Sequence, residues 1–451
     1  MSPETDAAPS PDWVPGPDPA RALAEVRALF ADVHGGEPTG VWAAPGRVNL
    51  VGEHVDYAGG TSLPLALPHR TLVALRPRDD GRVRVVSAWA PDEPWEGALA
   101  DVRPVRHPDE DRDEDRDEHE DRDEGEDRDE GEDRDEGEEG DRSVQGWPAY
   151  PAGVLWALGQ PDDPGWDVPG ADLAIASDVP VGAGLSSSAA LTCSTALAVS
   201  DVLGHGDDDA TRSVLVDACV RAENDVAGAA TGGMDQQASL RCRAGHLLLL
   251  DSADGTVEHV PFSLEEHGLV LLVVDTRATH ELTDGQYAAR RADCARAAGL
   301  LGVEHLARAA RGTSVEEVLE RLHAAGADER VVRRARHVLT EEERTHALVE
   351  LLRADRPQDV GPLLDGSHAS LRDDHEVSSV ELDVVTEAAR GAGALGARMT
   401  GGGFGGSAIA LVRTGDVDAV ARAVTTASAD AGHPRPQLVA VTAAQGAERV
   451  A

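Results

Sequence analysis

Four groups of residues in this chain have the types and spacing to do chemistry. In GRVNLVGEHVDYAGG, residues 46–60, an apolar run ends on Glu53, His54 and Asp56, and the chain then turns on two glycines. Two carboxylates and an imidazole so close together suit a metal ion or the hydroxyls of a polyol, and equally a solvated turn. In PVGAGLSSSAAL, residues 180–191, a glycine turn runs into serines at the cap and first turn of a helix. The free N–H groups and positive dipole end there favour an anion, so the stretch reads as a phosphate cradle, with a plain serine-capped turn as the alternative. The Ser188 hydroxyl is also a hard oxygen of the kind magnesium takes. Glu223 in RAENDVAG lies on a helix, where a carboxylate belongs to solvent unless a cation claims it; Asp235, in GGMDQQAS, follows two glycines and suits a buried proton acceptor. Finally, MTGGGFGGSAIALV either brings unsubstituted backbone close to a phosphate or reacting group, or simply turns before an edge strand.

One absence narrows the chemistry. All 41 basic residues are arginine and the chain has no lysine. A Walker A loop, a protein-kinase strand lysine and a pyridoxal Schiff base are therefore excluded. The formal charge of −42 opposes binding to nucleic acid or anionic membrane. Part of it is local: residues 109–142 hold 23 acids, six arginines and no aliphatic or aromatic side chain. Such a tract has nothing to pack and reads as a disordered insertion. The four cysteines lack metal-ligand spacing and read as buried or idle thiols. The leader has no basic and apolar signal pattern, and no apolar run is long enough for a membrane span, which points to a cytoplasmic protein.

The elements that must position these groups follow from hydrophobic period and turn residues. Residues 19–33 have helical spacing; VWAAPGRVNLVG, TLVALRP and RVRVVSAW read as strands. After the acidic tract come the helix in GWPAYPAGVLWALG, the strand in ADLAIASDVP, the glycine-serine turn with its small-residue helix, and a helix over 211–227. Strands near Leu247 and Leu269 precede a mostly helical stretch from Asp284 to Arg390, before the glycine turn and the strand SAIALV. Strands and helices mixed without regular alternation predict an α+β protein of two lobes.

The ordered set PGRVNLVGEHVDYAGG, PVGAGLSSSAAL, GGMDQQAS and GARMTGGGFGGSAIAL resembles the motifs of the galactokinase family within the GHMP kinases, and the resemblance extends to YAARRADC and LRDDHEVSSVELD. It implies a ribosomal-protein-S5-like N-terminal domain and a ferredoxin-like C-terminal domain with the site between them. The expected division is a disordered leader at 1–18, an N-terminal domain at 19–250 interrupted by the insertion at 107–143, and a C-terminal domain at 251–451. It further implies transfer of the ATP γ-phosphoryl group to the 1-hydroxyl of α-D-galactose. Carried over by motif, Asp235 is the proton acceptor and Arg47 the adjacent charge. Glu53, His54, Val55, Asp56, Gly232, Tyr287 and Asp235 itself hold the sugar. Gly182, Ala183, Gly184, Leu185, Ser186, Ser187 and Ser188 hold the ATP phosphates, with Ser87, Trp147 and Tyr150 near the nucleotide, and Ser188 with Glu223 holds magnesium. A monomer is expected. A kinase for N-acetylgalactosamine or arabinose, or a silent sugar sensor of the same fold, stays open at this stage.

Overall fold

The first helix, Pro19–His34, begins as its residues dictate. Asp18 accepts from the Arg21 amide at 3.0 Å, and Pro19 occupies the first turn, where its missing N–H is not needed. Val26 and Phe30 press this helix onto one face of a six-stranded sheet. The computed structural model containing it describes residues 10–105, 144–161, 164–229, 231–278 and 284–451. The insertion expected at 107–143 and residues 1–9 of the expected leader lie outside the described residues.

The sheet runs in the order β14 (Glu448–Arg449), β2 (Gly40–Asn49), β4 (Pro64–Pro77), β7 (Ala171–Ser177), β5 (Arg82–Ser87) and β6 (Ala90–Ala98). Its other face buries Trp42, Val73, Leu75 and Leu173 against the helices Ala149–Leu158 and Ser187–Leu203. The second lobe has a sheet ordered β1 (Asp12–Trp13), β13 (Gln437–Val441), β10 (Leu269–Asp275), β12 (Ser407–Arg413) and β11 (Gly396–Thr400). Leaving β1 aside, the chain order is β10, helix Val380–Gly391, β11, β12, helix Val417–Asp430, β13, which is the split βαβ arrangement of a ferredoxin-like fold. Between β10 and the first of those helices the chain inserts a helical block that includes Asp284–Leu301 and Glu329–Arg353.

Strand pairings cross the domain limits expected from the sequence at both ends and in the middle. Asp12–Trp13, inside the expected leader, pairs in parallel with Gln437–Leu438 and belongs to the second lobe. Glu448–Arg449 returns to the first lobe, pairing with Ala43 and Trp42. The 250/251 division falls inside a hairpin, because β8 (His246–Asp251) pairs with β9 (Thr256–Pro261), and β8 also pairs with β3 (Thr61–Ser62). The two lobes share an apolar core in which Val48, Leu50 and Leu65 meet Leu271, Val273 and Ile409. Ala183 and Leu185 of the glycine-serine turn sink into the same core.

A buried acid anchors the first lobe. Asp172, 1% exposed, takes Arg76 at 2.6 Å, Arg78 at 2.7 Å and Arg84 at 3.1 Å. Burial alone would raise its pKa, but hydrogen bonds from Arg76 and Arg78 outweigh that and hold it below the usual carboxylate range. Asp172→Asn therefore costs about 2 kcal/mol at neutral pH in urea melts. Because the folded pKa is depressed, the contribution is present above the unfolded value of about 4 and fades as pH falls below it, so the two proteins converge in acid.

Candidate active site

Arg47 lies in β2 just after a bulge at Pro45, a device that re-aims the strand's side chains. Its Nη1 donates to the Gly184 carbonyl at 2.7 Å, and its Nη2 lies 2.7 Å from Asp235 Oδ1. The neighbouring Gly46 has to be glycine, since a Cβ there would collide with the Leu185 carbonyl of the glycine-serine turn. Asp235, in the first turn of the helix Met234–Arg241, also receives the Ser186 hydroxyl. Arg47, Ser186 and Asp235 thus tie the glycine-serine turn to a carboxylate on another helix.

These groups open on a cavity of about 220 Å³ lined by Arg47, Glu53, His54, Asp56, Thr231, Gly232, Met234, Asp235, Tyr287, Gly401 and Gly402. That is below the roughly 300–1,000 Å³ typical of drug-sized pockets, and the lining is mostly polar, so it fits a small hydroxylated ligand. Six of the seven expected sugar-side residues line it. Val55 does not: its side chain packs into the core with Cys294, Ala297 and Val331, and its carbonyl accepts from Gly60. Gly232 meets the need for close approach, because a Cβ there would strike the Asp56 carboxylate. Thr231, Met234, Gly401 and Gly402 had no expected sugar role; the glycine turn 401–403 was legible only as a place where backbone comes close to something.

The acid, imidazole and acid of the opening motif turn out to do different work. Glu53 is fully buried, and its Oε1 accepts from Thr400 Oγ1 at 3.1 Å and from the Gly401 amide, while Oε2 accepts from Asn49 Nδ2 with Arg398 3.9 Å away. A carboxylate oxygen has two lone pairs, so Glu53, which lines the cavity, keeps acceptor capacity beyond these bonds. Burial raises the Glu53 pKa, opposed by the charges of Arg398 and Arg47. His54, in the left-handed region at φ 58°, reaches the Gly402 carbonyl through Nε2 at 3.1 Å. Burial, then neighbouring His337, drop its pKa to about 3, so the ring is neutral. Asp56 is half-buried; burial pushes its carboxyl up to about 6, with the charges of Asp235 and Glu53 adding to the rise. It is the more exposed of the two acids that line the cavity.

On the other side of the turn, Gly182 and Gly184 adopt φ of 79° and 70°, and a Cβ at either would meet nothing within 4 Å. The backbone is therefore open toward the N-terminus of Ser187–Leu203, a 17-residue helix whose dipole favours an anion. Ser407 Oγ clamps the Ala183 carbonyl at 2.7 Å from the second lobe. Glu223 occupies a π-helical turn, Ala222–Ala227, a feature often found at functional sites. It is buried, accepts from Gln236 Nε2 at 2.7 Å and Thr192 Oγ1 at 3.1 Å, and hydrogen-bonds Ser188. Burial, with the Asp235 charge adding, pushes its pKa up to about 7.

A buried carboxylate short of positive charge beside a hydroxyl fits magnesium, which takes one or two protein oxygens and completes its shell with phosphate and water. Among the described residues no cluster of three or more His, Cys, Asp or Glu could hold a metal by itself. Ser87, Trp147 and Tyr150 do not line the Asp235 cavity. Ser87 ends β5 and accepts from the Trp89 amide at 3.3 Å, and Trp147 packs on the first-lobe core.

A glycine-serine turn at a helix N-terminus, tied to a carboxylate through Arg47 and clamped by Ser407 of a ferredoxin-like lobe, defines a GHMP kinase. The chain matches the GHMP kinases N terminal domain over residues 149–243 and the GHMP kinases C terminal over 348–430. It also matches the galactokinase galactose-binding signature over 28–77, the segment holding Arg47, Glu53, His54 and Asp56. It is 44% identical to the galactokinase of Streptomyces coelicolor, covering 93% of this chain and 97% of that one, and 35% identical to that of Homo sapiens, covering 88% and 89%. Lactococcus lactis galactokinase, solved in complex with galactose, superposes with a TM-score of 0.77 at 29% identity, covering 95% of this chain and all of that one. A mevalonate kinase from Methanococcus jannaschii, 14% identical over 90% of this chain and 99% of its own, shares the fold with a TM-score of 0.57. The chain belongs to the galactokinase family.

Proposed function

We propose that this chain transfers the γ-phosphoryl group of ATP to the 1-hydroxyl of α-D-galactose, giving galactose 1-phosphate and ADP. The observation that carries the reading is the Arg47–Asp235 pair, which stands between a cavity walled by Asp56, Gly232 and Tyr287 and the open backbone of the glycine-serine turn. Asp235 is the acceptor for the sugar hydroxyl proton. Arg47 keeps that carboxylate in place and adds positive charge where negative charge develops. The helix N-terminus after Ser186 receives the phosphates, which lets a chain without lysine handle ATP.

Ser188 and Glu223 are the residues that would hold magnesium, whose charge, when bound, offsets that of the phosphoryl oxygens. A monomer is the proposed state, and ATP as donor goes with a cytoplasmic enzyme.

The test is ADP release across galactose, N-acetylgalactosamine and arabinose. Galactose is expected to give the highest kcat/KM; preference for another sugar, or no sugar-dependent ADP, overturns the reading. Asp56 supplies an internal check. Asp56→Ala raises KM for galactose by about ten- to a hundredfold, the effect of losing a charged hydrogen-bond acceptor, and KM for ATP far less. Since Asp56 loses acceptor capacity when protonated, KM for galactose in the wild type rises as pH falls through about 6. An equal effect of Asp56→Ala on both substrates removes Asp56 from the sugar site.

A further inference from the structure

Behind the sugar cavity lies a buried ring cluster with no counterpart in the chemistry described so far. His54 packs against His375 at 4.9 Å between ring centroids, and His375 packs against His337 at 4.5 Å. The Tyr57 hydroxyl lies 3.1 Å from His54 Nδ1 and 2.9 Å from His375 Nε2. His375 is fully buried, and its Nδ1 has no hydrogen-bond partner among the described residues.

The protons in this chain of bonds can be assigned. The Gly402 carbonyl only accepts, so His54 carries its proton on Nε2, and in the neutral ring Nδ1 is then an acceptor. The single Tyr57 proton therefore goes to His54 Nδ1, and the Tyr57 oxygen accepts from His375 Nε2–H. That leaves His375 Nδ1 bare, the ring nitrogen at the end of this series of bonds and without a partner among the described residues. We infer that Tyr57 and His375 are positioning residues: they lock His54 as a fixed Nε2–H donor on the cavity wall, held against Gly402. The assignment also accounts for His54 keeping a backbone conformation that non-glycine residues rarely adopt, since bonds to both ring nitrogens over-determine its place. Glu53 belongs to the same brace, because its carbonyl accepts from His337 Nε2 at 3.0 Å while its carboxylate holds Gly401.

The consequence for activity rests on the sugar-site reading above, but the tautomer does not, so the first measurement needs no substrate. In the full chain labelled with ¹⁵N-histidine, NMR is expected to show His54 protonated at Nε2 and bare at Nδ1. His54 protonated at Nδ1 overturns the inference. In Tyr57→Phe the His54 Nδ1 resonance loses the shift of a hydrogen-bonded acceptor while Nε2 stays protonated against Gly402, and kcat/KM for galactose falls about ten- to a hundredfold, as for a small misplacement of a substrate contact, with KM for ATP within about twofold of wild type. His375→Phe, which keeps a ring but no donor, behaves likewise, whereas His375→Gln, whose amide still donates, retains most of the activity. The double variant Tyr57→Phe/His375→Phe is no worse than Tyr57→Phe alone, because both act through one bond chain. Additive losses, or equal losses in the Phe and Gln variants of His375, mean that the cluster only packs.

Discussion

Asp235→Asn is expected to lower kcat about 10²- to 10⁴-fold while KM for galactose changes little. The substitution keeps the shape of a side chain that receives both Arg47 and Ser186, so the fold and the cavity persist. What it removes is the capacity to take a proton and the charge opposite Arg47. Steady-state kinetics on a variant with unchanged melting temperature check this. Turnover within tenfold of wild type would show that the sugar hydroxyl loses its proton without help from Asp235.

Arg47→Lys is the second large effect. One Arg47 nitrogen holds the Gly184 carbonyl while the other holds Asp235, a forked grip that spans two separate elements. An ammonium is a single point on a flexible stem and cannot keep both contacts. The glycine-serine turn and the acceptor carboxylate then lose their fixed relation, and kcat is expected to fall about 10²- to 10³-fold, the range seen when one preorganised donor is removed. A lysine that supported near-normal turnover would mean that charge alone matters at this position. Arg47→Met, which removes the charge as well, is expected to be worse than Arg47→Lys.

What could be read from the residues was what is local. The capped first helix, the glycine-serine turn and its helix, and the apolar strand ending on Glu53 all depend on neighbours within a few positions, and all stand where the pattern puts them. The contacts within the site that were not legible act across long separations. Tyr57 meets His375, and Glu53 meets Thr400, through lobe packing that no local period encodes. Glu53 and Asp56 have the same chemistry in sequence and line the same cavity; only the structure shows that Glu53 is the fully buried one that braces the glycine turn. The exchange of chain ends between lobes was hidden for a different reason. Asp12–Trp13 and Glu448–Arg449 are two-residue strands, too short to carry an alternation, and exist only because a longer strand offers them an edge.

Product identity tests the central claim most directly: that Asp235 and Arg47 direct phosphoryl transfer to the 1-hydroxyl of galactose held against Asp56. With ATP, magnesium and galactose, ³¹P and ¹H NMR of the reaction mixture is predicted to show one new phosphomonoester coupled to the anomeric proton of an α-galactopyranosyl ring, formed in step with ADP. A phosphoryl group on any other hydroxyl, or ADP formed with no phosphorylated sugar, would contradict it.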